Sequence, residues 1–534
     1  MAIKRYTASA DTTIVNAYQP NLVTRGTGAN MGFADVVETF SVYGRQATGS
    51  QELSRILIQF PIATIITDRA AGTIPASGSA TFYLRMYNAQ HSKTVPEDFS
   101  LSVLPVAQSW QEGVGLDLET YKDLTKGNTG ANWMSASNTS PWTGSSYTTN
   151  DCVGGSYRTG AADPQFKVSF AGGLENIKMD ITPLVEHWIA GTISNYGVGV
   201  HLSSSYEASA SVGANTASAP ILPLTGGATK SYYTKRFFAR GTQYFFKRPA
   251  IEAVWNSAVK DDRGDFYYSS SLAPAANNMN TIYFYNYIRG ALTNIPDLGD
   301  DNRVYVSMFS GNAGNTAPSA SALLLAADNS GFVRSAASTV VTGGLVSTGI
   351  YSASFAITAA ATPVTTLYDV WFTGSDATVA TSSATQYLTG TITPQVIKPT
   401  QTVAKPVYYL NITNLRDKYR SEETARFNVY IRNKFWDPTI YTVANTTPES
   451  TTIASASYRV YRLVDGYDAV SYDTGSDLAT GLSYDISGNY FDFDMKLLDP
   501  GYAYAFKFAF YDPALSSWTE QSEVFKFRVE SYEY

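Results

Sequence analysis

The chain is poor in the residues that most often carry out chemistry. It holds one cysteine in 534 residues, Cys152 in the loop NDCVGGS, so no disulfide can close within it and an ordinary thiol is expected. It holds three histidines, His91, His187 and His201, too few for a zinc site of the Cys/His type. Charged residues are 16 % of the chain, and the 38 basic and 45 acidic side chains leave a net charge of −7. A mildly acidic total argues against general nucleic-acid binding. No run reaches the roughly 18 consecutive apolar residues of a membrane span. The opening MAIKRYTASADTTIVNAYQPN sets Lys4 and Arg5 before no apolar stretch, so no secretory signal is expected. No Gly-x-Ser-x-Gly elbow, phosphate-binding glycine loop or His-Glu-x-x-His pair occurs, and the expectation is a protein without enzymatic activity, cofactor or metal. His187, beside Trp188, and His201 read as structural.

What is abundant is apolar and aromatic. Hydrophobic residues make up 44 %, with 38 Tyr, 26 Phe and 8 Trp. That is enough to build cores and too much for a disordered chain. The length exceeds one ordinary core, so about three domains are expected. The dominant pattern is alternation. ATFYLRMY at 80–87 sets Phe82, Leu84 and Met86 on one face; RFNVYIRN at 426–433 does the same with Phe427, Val429 and Ile431. AYAFKFAFY at 503–511 and VFKFRVE at 524–530 repeat it. Such runs, bounded by Gly, Pro, Asn, Asp and Ser, are half-buried antiparallel strands, and the expected class is all-β with tandem sandwiches.

One segment departs from period 2. In DITPLVEHWIAG at 180–191, Ile181, Leu184, Val185, Trp188 and Ile189 share a helical face, with Thr182 as N-cap, Pro183 at the first position and Gly191 at the stop. Composition sets the boundaries. Residues 205–229 are rich in Ser, Ala, Gly and Pro, and TPQVIKPTQTVAKP at 393–406 has three prolines. The expected domains are 1–225, 250–395 and 400–534, with a linker arm at 226–249. Residues 311–390 are rich in Ala, Ser and Thr, so register there is weakly specified.

The first domain carries ADTTI at 10–14, GANMG at 28–32, SRILIQFPI at 54–62, a Trp at 110, and DITPLVEHWIAGTISNYGVGVHL at 180–202. In that order these resemble the DNRLRE-type β-sandwich, a jelly-roll-like domain related to carbohydrate-binding modules. The matching positions are Asp11, Asn30, Gly32, Arg55, Trp110, Asp180, Thr182, Trp188, Gly191 and Asn195 to Gly197. The resemblance implies a possible glycan partner, with Trp133 and Trp142 as stacking platforms. In LLDPGYAYAF at 497–506, Tyr504 or Tyr502 resembles the tyrosine that opens a late strand of immunoglobulin and fibronectin III sandwiches, so both later domains are expected to be of that kind.

The segments 231–257, 412–445 and 483–504 resemble virion structural proteins of large tailed bacteriophages. The resemblance implies a non-enzymatic component of the head–tail connecting region, collar (neck), tail or capsid exterior (a decoration protein). It would assemble in host cytoplasm and bind other virion proteins and copies of itself, without a membrane. The alternative is a glycan-binding adhesin for a host surface.

The arm carries the candidate interface: Tyr232, Tyr233, Lys235, Arg236, Phe237, Phe238, Arg240, Tyr244, Phe245, Phe246, Lys247 and Arg248. Tyr, Phe and Arg are favoured anchors of protein interfaces, whereas stacking on bases needs the same residues in a basic setting, so nucleic acid ranks below protein. Asp492 and Asp494 read as the wet face of a strand. The clusters Asp261, Asp262, Asp265 and Asp297, Asp300, Asp301 offer oxygen ligands without EF-hand spacing. Arg263-Gly264-Asp265 matches an integrin-recognition tripeptide, which a turn also explains.

Overall fold

Period-2 alternation in the sequence becomes alternation in burial. Phe82, Leu84 and Met86 of the strand Thr81–Met86 are buried, as are Phe427, Val429 and Ile431 of Thr424–Asn433. The computed structural model describes residues 2–531 except 18–28, 44–50, 92–94, 117–129, 134, 138–139, 143–153, 211–223, 228–229, 272, 297, 299–302, 312–317, 320, 328–337, 360–363, 374–384, 396–406, 437–449 and 514. Cys152 and the cluster Asp297, Asp300, Asp301 lie outside the described residues. The fold is all-β, a series of sandwiches with two short α-helices among the described residues. No described helix is long and apolar enough to cross a membrane.

The chain divides into two compact units, Ala2–Asn256 and Ser257–Tyr534. In the first, one sheet orders Ile3–Thr7, Ala250–Val254, Thr81–Met86 and Ile177–Asp180. The other orders Tyr232–Phe238, Val36–Tyr43, Gln51–Gln59, Val198–Leu202, Phe99–Pro105 and Phe166–Phe170, with Ala10–Val15 also paired to Gln51–Gln59. Leu84, Met86 and Ile251 from the first sheet pack with Ile56, Leu101, Val103 and Val200 from the second. Ala250–Val254 lies at the centre of the first sheet, so the unit ends past the expected boundary at 249.

The helix anticipated near 182 runs Thr182–Ile189 (α2) and buries Leu184, Val185 and Trp188. Gly191 ends it with φ +70°. Its N-cap is Ile181, one residue before the expected Thr182. The Thr182 hydroxyl instead donates to Asp180 Oδ1 (2.6 Å) and accepts the Phe82 amide (2.8 Å), tying the helix to the sheet. A second helix, Ile62–Ala70 (α1), follows Pro61. Its Ile-Ala-Thr-Ile-Ile start reads as a continuing strand, which is why alternation misses it. The Arg69 guanidinium grips the Glu186 carboxylate at 2.6 and 2.8 Å and joins α1 to α2.

The unit Ser257–Tyr534 holds two sandwiches. In the earlier, Val341–Ser347 belongs to both sheets. Its first half, through Gly343, pairs with Val304–Gly311, and its second, from Gly344, with Ile350–Phe355, so the corner falls at Gly343–Gly344. Asn280–Tyr285 extends one sheet; Leu367–Thr373 and Thr385–Ile392 extend the other. Phe284, Tyr351 and Trp371 stack between them.

The later sandwich orders Tyr408–Ile412, Thr424–Asn433, Gly488–Asp494 and Ser483–Asp485 in one sheet. The other orders Lys418–Arg420, Phe525–Glu530, Ala503–Asp512, Ala456–Arg462 and Asp468–Val470, with Lys418–Arg420 running parallel to its neighbour. This is the ABED and GFC arrangement of immunoglobulin sandwiches, the first strand splitting between sheets. Phe427, Phe491, Phe506, Phe527 and Tyr458 fill the core with rings 4.5–5.2 Å apart at the closest pairs. The Tyr504 hydroxyl donates to the Asp499 carbonyl at 2.7 Å across a turn where Gly501 has φ +91°, so Tyr504, not the exposed Tyr502, is the corner tyrosine.

Candidate protein-interaction surface

The arm at 226–249 is not a linker. Tyr232–Phe238 is a strand of the first unit, antiparallel to Val36–Tyr43, with Phe238 opposite Val36 and Arg236 opposite Glu38. Alternation sends Lys235, Phe237 and Ala239 inward, and all three are buried. Phe237 packs against Phe170 in the core. Three of the arm's cations are spent inside the molecule. Lys235 Nζ donates to Asn88 Oδ1 and the Gly173 and Glu175 carbonyls. Arg236 Nε donates to Glu38 at 2.8 Å. Arg240 forks onto Glu112 with both distances 2.6 Å, and its backbone amide donates to Asp11 Oδ2 at 2.6 Å. Tyr232 meets Tyr206 edge-on at 4.9 Å, Phe246 is buried, and Arg248 Nε donates to the Thr242 carbonyl. The Tyr233 side chain lies outside the described residues.

What stays at the surface is the end of the arm. Tyr244 is 51 % exposed and packs edge-on to Phe238 at 5.4 Å. Lys247 Nζ sits 4.8 Å from the Phe238 ring centre and 5.4 Å from that of Tyr244. Phe245, half-buried, meets Phe246 edge-on. The neighbouring chain adds apolar surface. The Ala239 amide donates to the Asp35 carbonyl, and the Phe33 amide to the Gly115 carbonyl. These ties bring in Phe33 and Leu116, exposed by 56 % and 54 %. Sequence reading missed both, because single apolar residues in Gly-rich loops carry no periodic signal.

The glycan platforms are corrected. Trp133 and Trp142 are 1 % and 2 % exposed and belong to a side core with Leu57 and Trp110. Trp142 Nε1 donates to the Asn132 carbonyl, and the Arg55 guanidinium covers the Trp133 ring at 5.3 Å. Neither indole face is open to a sugar. The motif residues of the first domain close backbone and buried charge. Arg55 is held by both Glu207 oxygens (2.9 and 2.7 Å). Asn30 Oδ1 accepts from the Gly32 and Gly115 amides, and Trp110 Nε1 donates to the Tyr196 carbonyl. Gly197 has φ +81°, and a Cβ there would lie 2.0 Å from the Ile58 carbonyl oxygen.

The titratable groups are engaged in the fold. Burial holds His201 below its ordinary pKa, with the Glu207 carboxylate opposing. His187 Nδ1 shares a hydrogen with Thr192, and His91 Nε2 accepts the Arg236 amide. Asp492 faces solvent in a fork with Arg426, while Asp494, expected beside it on the wet face, is buried and caps the turn at Lys496. The Arg263 guanidinium is clamped to the fully buried Asp369 at 2.6 and 2.7 Å, so the Arg-Gly-Asp tripeptide presents no free arginine. Burial raises the carboxyl of Asp261 to about 6 and also raises those of Asp262 and Asp265. Among the described residues, no three His, Cys, Asp or Glu side chains gather as a metal site.

A second exposed patch lies on the last sandwich. Tyr409 is 43 % and Phe435 76 % exposed. Arg432 lies 5.0 Å from the Tyr409 ring and 5.9 Å from Trp436, and Lys434 lies 5.6 Å from Tyr409.

No family model and no curated protein matches the chain. Among solved structures, the chain is similar over 98 % of its length to 26 % of a Salmonella alpha-2-macroglobulin reacted with methylamine, at 7 % identity and TM-score 0.14. It is similar over 99 % to 26 % of the native E. coli alpha-2-macroglobulin, with the same identity and score. The chain thus spans about a quarter of those proteins, and at that score the likeness carries no argument.

Proposed function

We propose that this chain is a non-enzymatic structural component of a tailed bacteriophage virion, in the head–tail connecting region, collar, tail or capsid exterior, acting through protein–protein interfaces. The observation that supports it best is the surface end of the arm. Phe238, Tyr244 and Lys247 are pre-stacked on one another, and Phe33 and Leu116 are exposed on loops tied to one another and to the arm through the backbone. Rigid aromatics with a cation at their edge are the usual anchors of a buried interface. Stable contacts of this kind bury on the order of 1,600 Å² in total. The nucleic-acid reading loses Lys235, Arg236 and Arg240, whose charges meet internal partners. The adhesin reading loses Trp133 and Trp142.

The test replaces Tyr244 by Ala and Lys247 by Glu together. These side chains bear on no core, so the purified variant is expected to keep its unfolding temperature. Its incorporation into particles is expected to fall roughly tenfold or more, the effect of losing one hot spot. Unchanged incorporation would overturn the role of this surface.

A further inference from the structure

Lys235 is a lysine with no exposed surface, on the inward face of a strand. Its Nζ has three neighbours within hydrogen-bond distance: Asn88 Oδ1 at 2.6 Å, the Gly173 carbonyl at 2.8 Å and the Glu175 carbonyl at 3.0 Å. The rings of Phe170 and Phe237 flank it at 4.9 and 4.8 Å. Asn88 is held from the other side, because its backbone amide donates to Asn176 Oδ1 and it bridges Phe237 across the sheet edge. A buried primary amine and a partly buried primary carboxamide are therefore held against each other beside two aromatic rings. Only a salt bridge or hydrogen bond is usually needed to satisfy a buried lysine, and here one partner is an acylating group.

We propose that Lys235 and Asn88 form an intramolecular isopeptide bond. Lys235 Nζ attacks Asn88 Cγ, the Cγ–Nδ2 bond breaks, and Nδ2 leaves as ammonia. From the protonated amine the balance is one ammonium released for one secondary amide formed, with no oxidant or co-reactant. The surroundings favour each part of the step. Burial lowers the Lys235 pKa to about 8, so the neutral amine is accessible near physiological pH. The proton that faces Asn88 is the one to leave. The other two hydrogens stay on the Gly173 and Glu175 carbonyls, the departing proton passes to Nδ2, and a turn of the carboxamide brings the Cγ face, in place of Oδ1, onto the freed lone pair. Positioning of this kind supplies effective molarities of about 10⁵–10⁸ M. The bond would join residues 147 apart in sequence and pin the Tyr232–Phe238 strand to the segment after Thr81–Met86. The proposal is independent of the biological role argued above.

The experiment is intact mass spectrometry of the full chain under denaturing conditions. The wild type is expected to be lighter than its sequence mass by one ammonia, and digestion is expected to yield one branched peptide containing both Lys235 and Asn88. Lys235→Met and Asn88→Ala should each restore the full sequence mass. Asn88→Asp should lose water instead and give the same product mass as the wild type. A wild-type chain at its full sequence mass, or a mass deficit that survives Lys235→Met, would overturn the proposal.

Discussion

Asp11 shows what a buried carboxyl does in this molecule. It is 1 % exposed, and its Oδ2 accepts the Arg240 amide while Oδ1 has no partner. Burial, with the nearby Glu112 carboxylate adding to it, raises its pKa from 3.8 to about 7; the Arg240 amide and guanidinium oppose. An acid whose folded pKa lies above its unfolded value binds its proton more tightly when folded. Asp11 therefore costs nothing below pH 3.8, becomes progressively destabilising as pH rises towards 7, and exerts its full cost above that. A shift of this size corresponds to roughly 4 kcal/mol at most. Asp11→Asn keeps an acceptor for the Arg240 amide and removes the charge. It is expected to raise the unfolding temperature at pH 8 and leave it nearly unchanged at pH 4, as thermal denaturation at the two values would show. An equal effect at both would mean that the folded chain does not raise the Asp11 pKa above its unfolded value.

At the scale of elements, legibility followed the cleanness of alternation. The strands Thr81–Met86, Thr424–Asn433 and Ala503–Asp512 were readable because apolar side chains hold one face without exception. The strand Tyr232–Phe238 reads as a linker because its basic-aromatic stretch has no acid and follows a Ser-, Ala-, Gly- and Pro-rich segment; three acceptors from distant segments make the lysine on its inward face tolerable. The same reason hid most of the candidate site. A sequence shows that Tyr, Phe, Lys and Arg are interleaved, but not that Arg236 and Arg240 find Glu38 and Glu112, which leaves the Phe238, Tyr244 and Lys247 end of the arm for a partner. α2 was legible from its 3.6 period and Gly191, whereas α1 was masked by β-branched residues. If Tyr232–Phe238 is a core strand, Phe237→Ala should destabilise the first unit by about 3–5 kcal/mol, the cost of a large cavity. Urea unfolding of the full chain measures it, and a loss under about 1 kcal/mol would return the segment to the surface.

At the scale of the whole molecule, the second unit explains why a Pro-rich break at 393–406 did not separate two bodies. The segment before the earlier sandwich adds to the later one. The Tyr484 amide donates to the Val259 carbonyl (2.9 Å), the Asp261 amide to the Tyr484 carbonyl (3.1 Å), and the Tyr484 hydroxyl to Asp262 (2.7 Å). Lys260 thus lies parallel to Tyr484 on the edge strand Ser483–Asp485 and covers it. These contacts tie the two sandwiches into one compact unit, as the proposed structural role asks. Quantitative mass spectrometry of virus particles purified from cells that make this chain from its native genome tests the proposed virion role most directly. The account predicts the chain among the particle proteins at a fixed number of copies per virion. Infectious particles free of it would contradict the account.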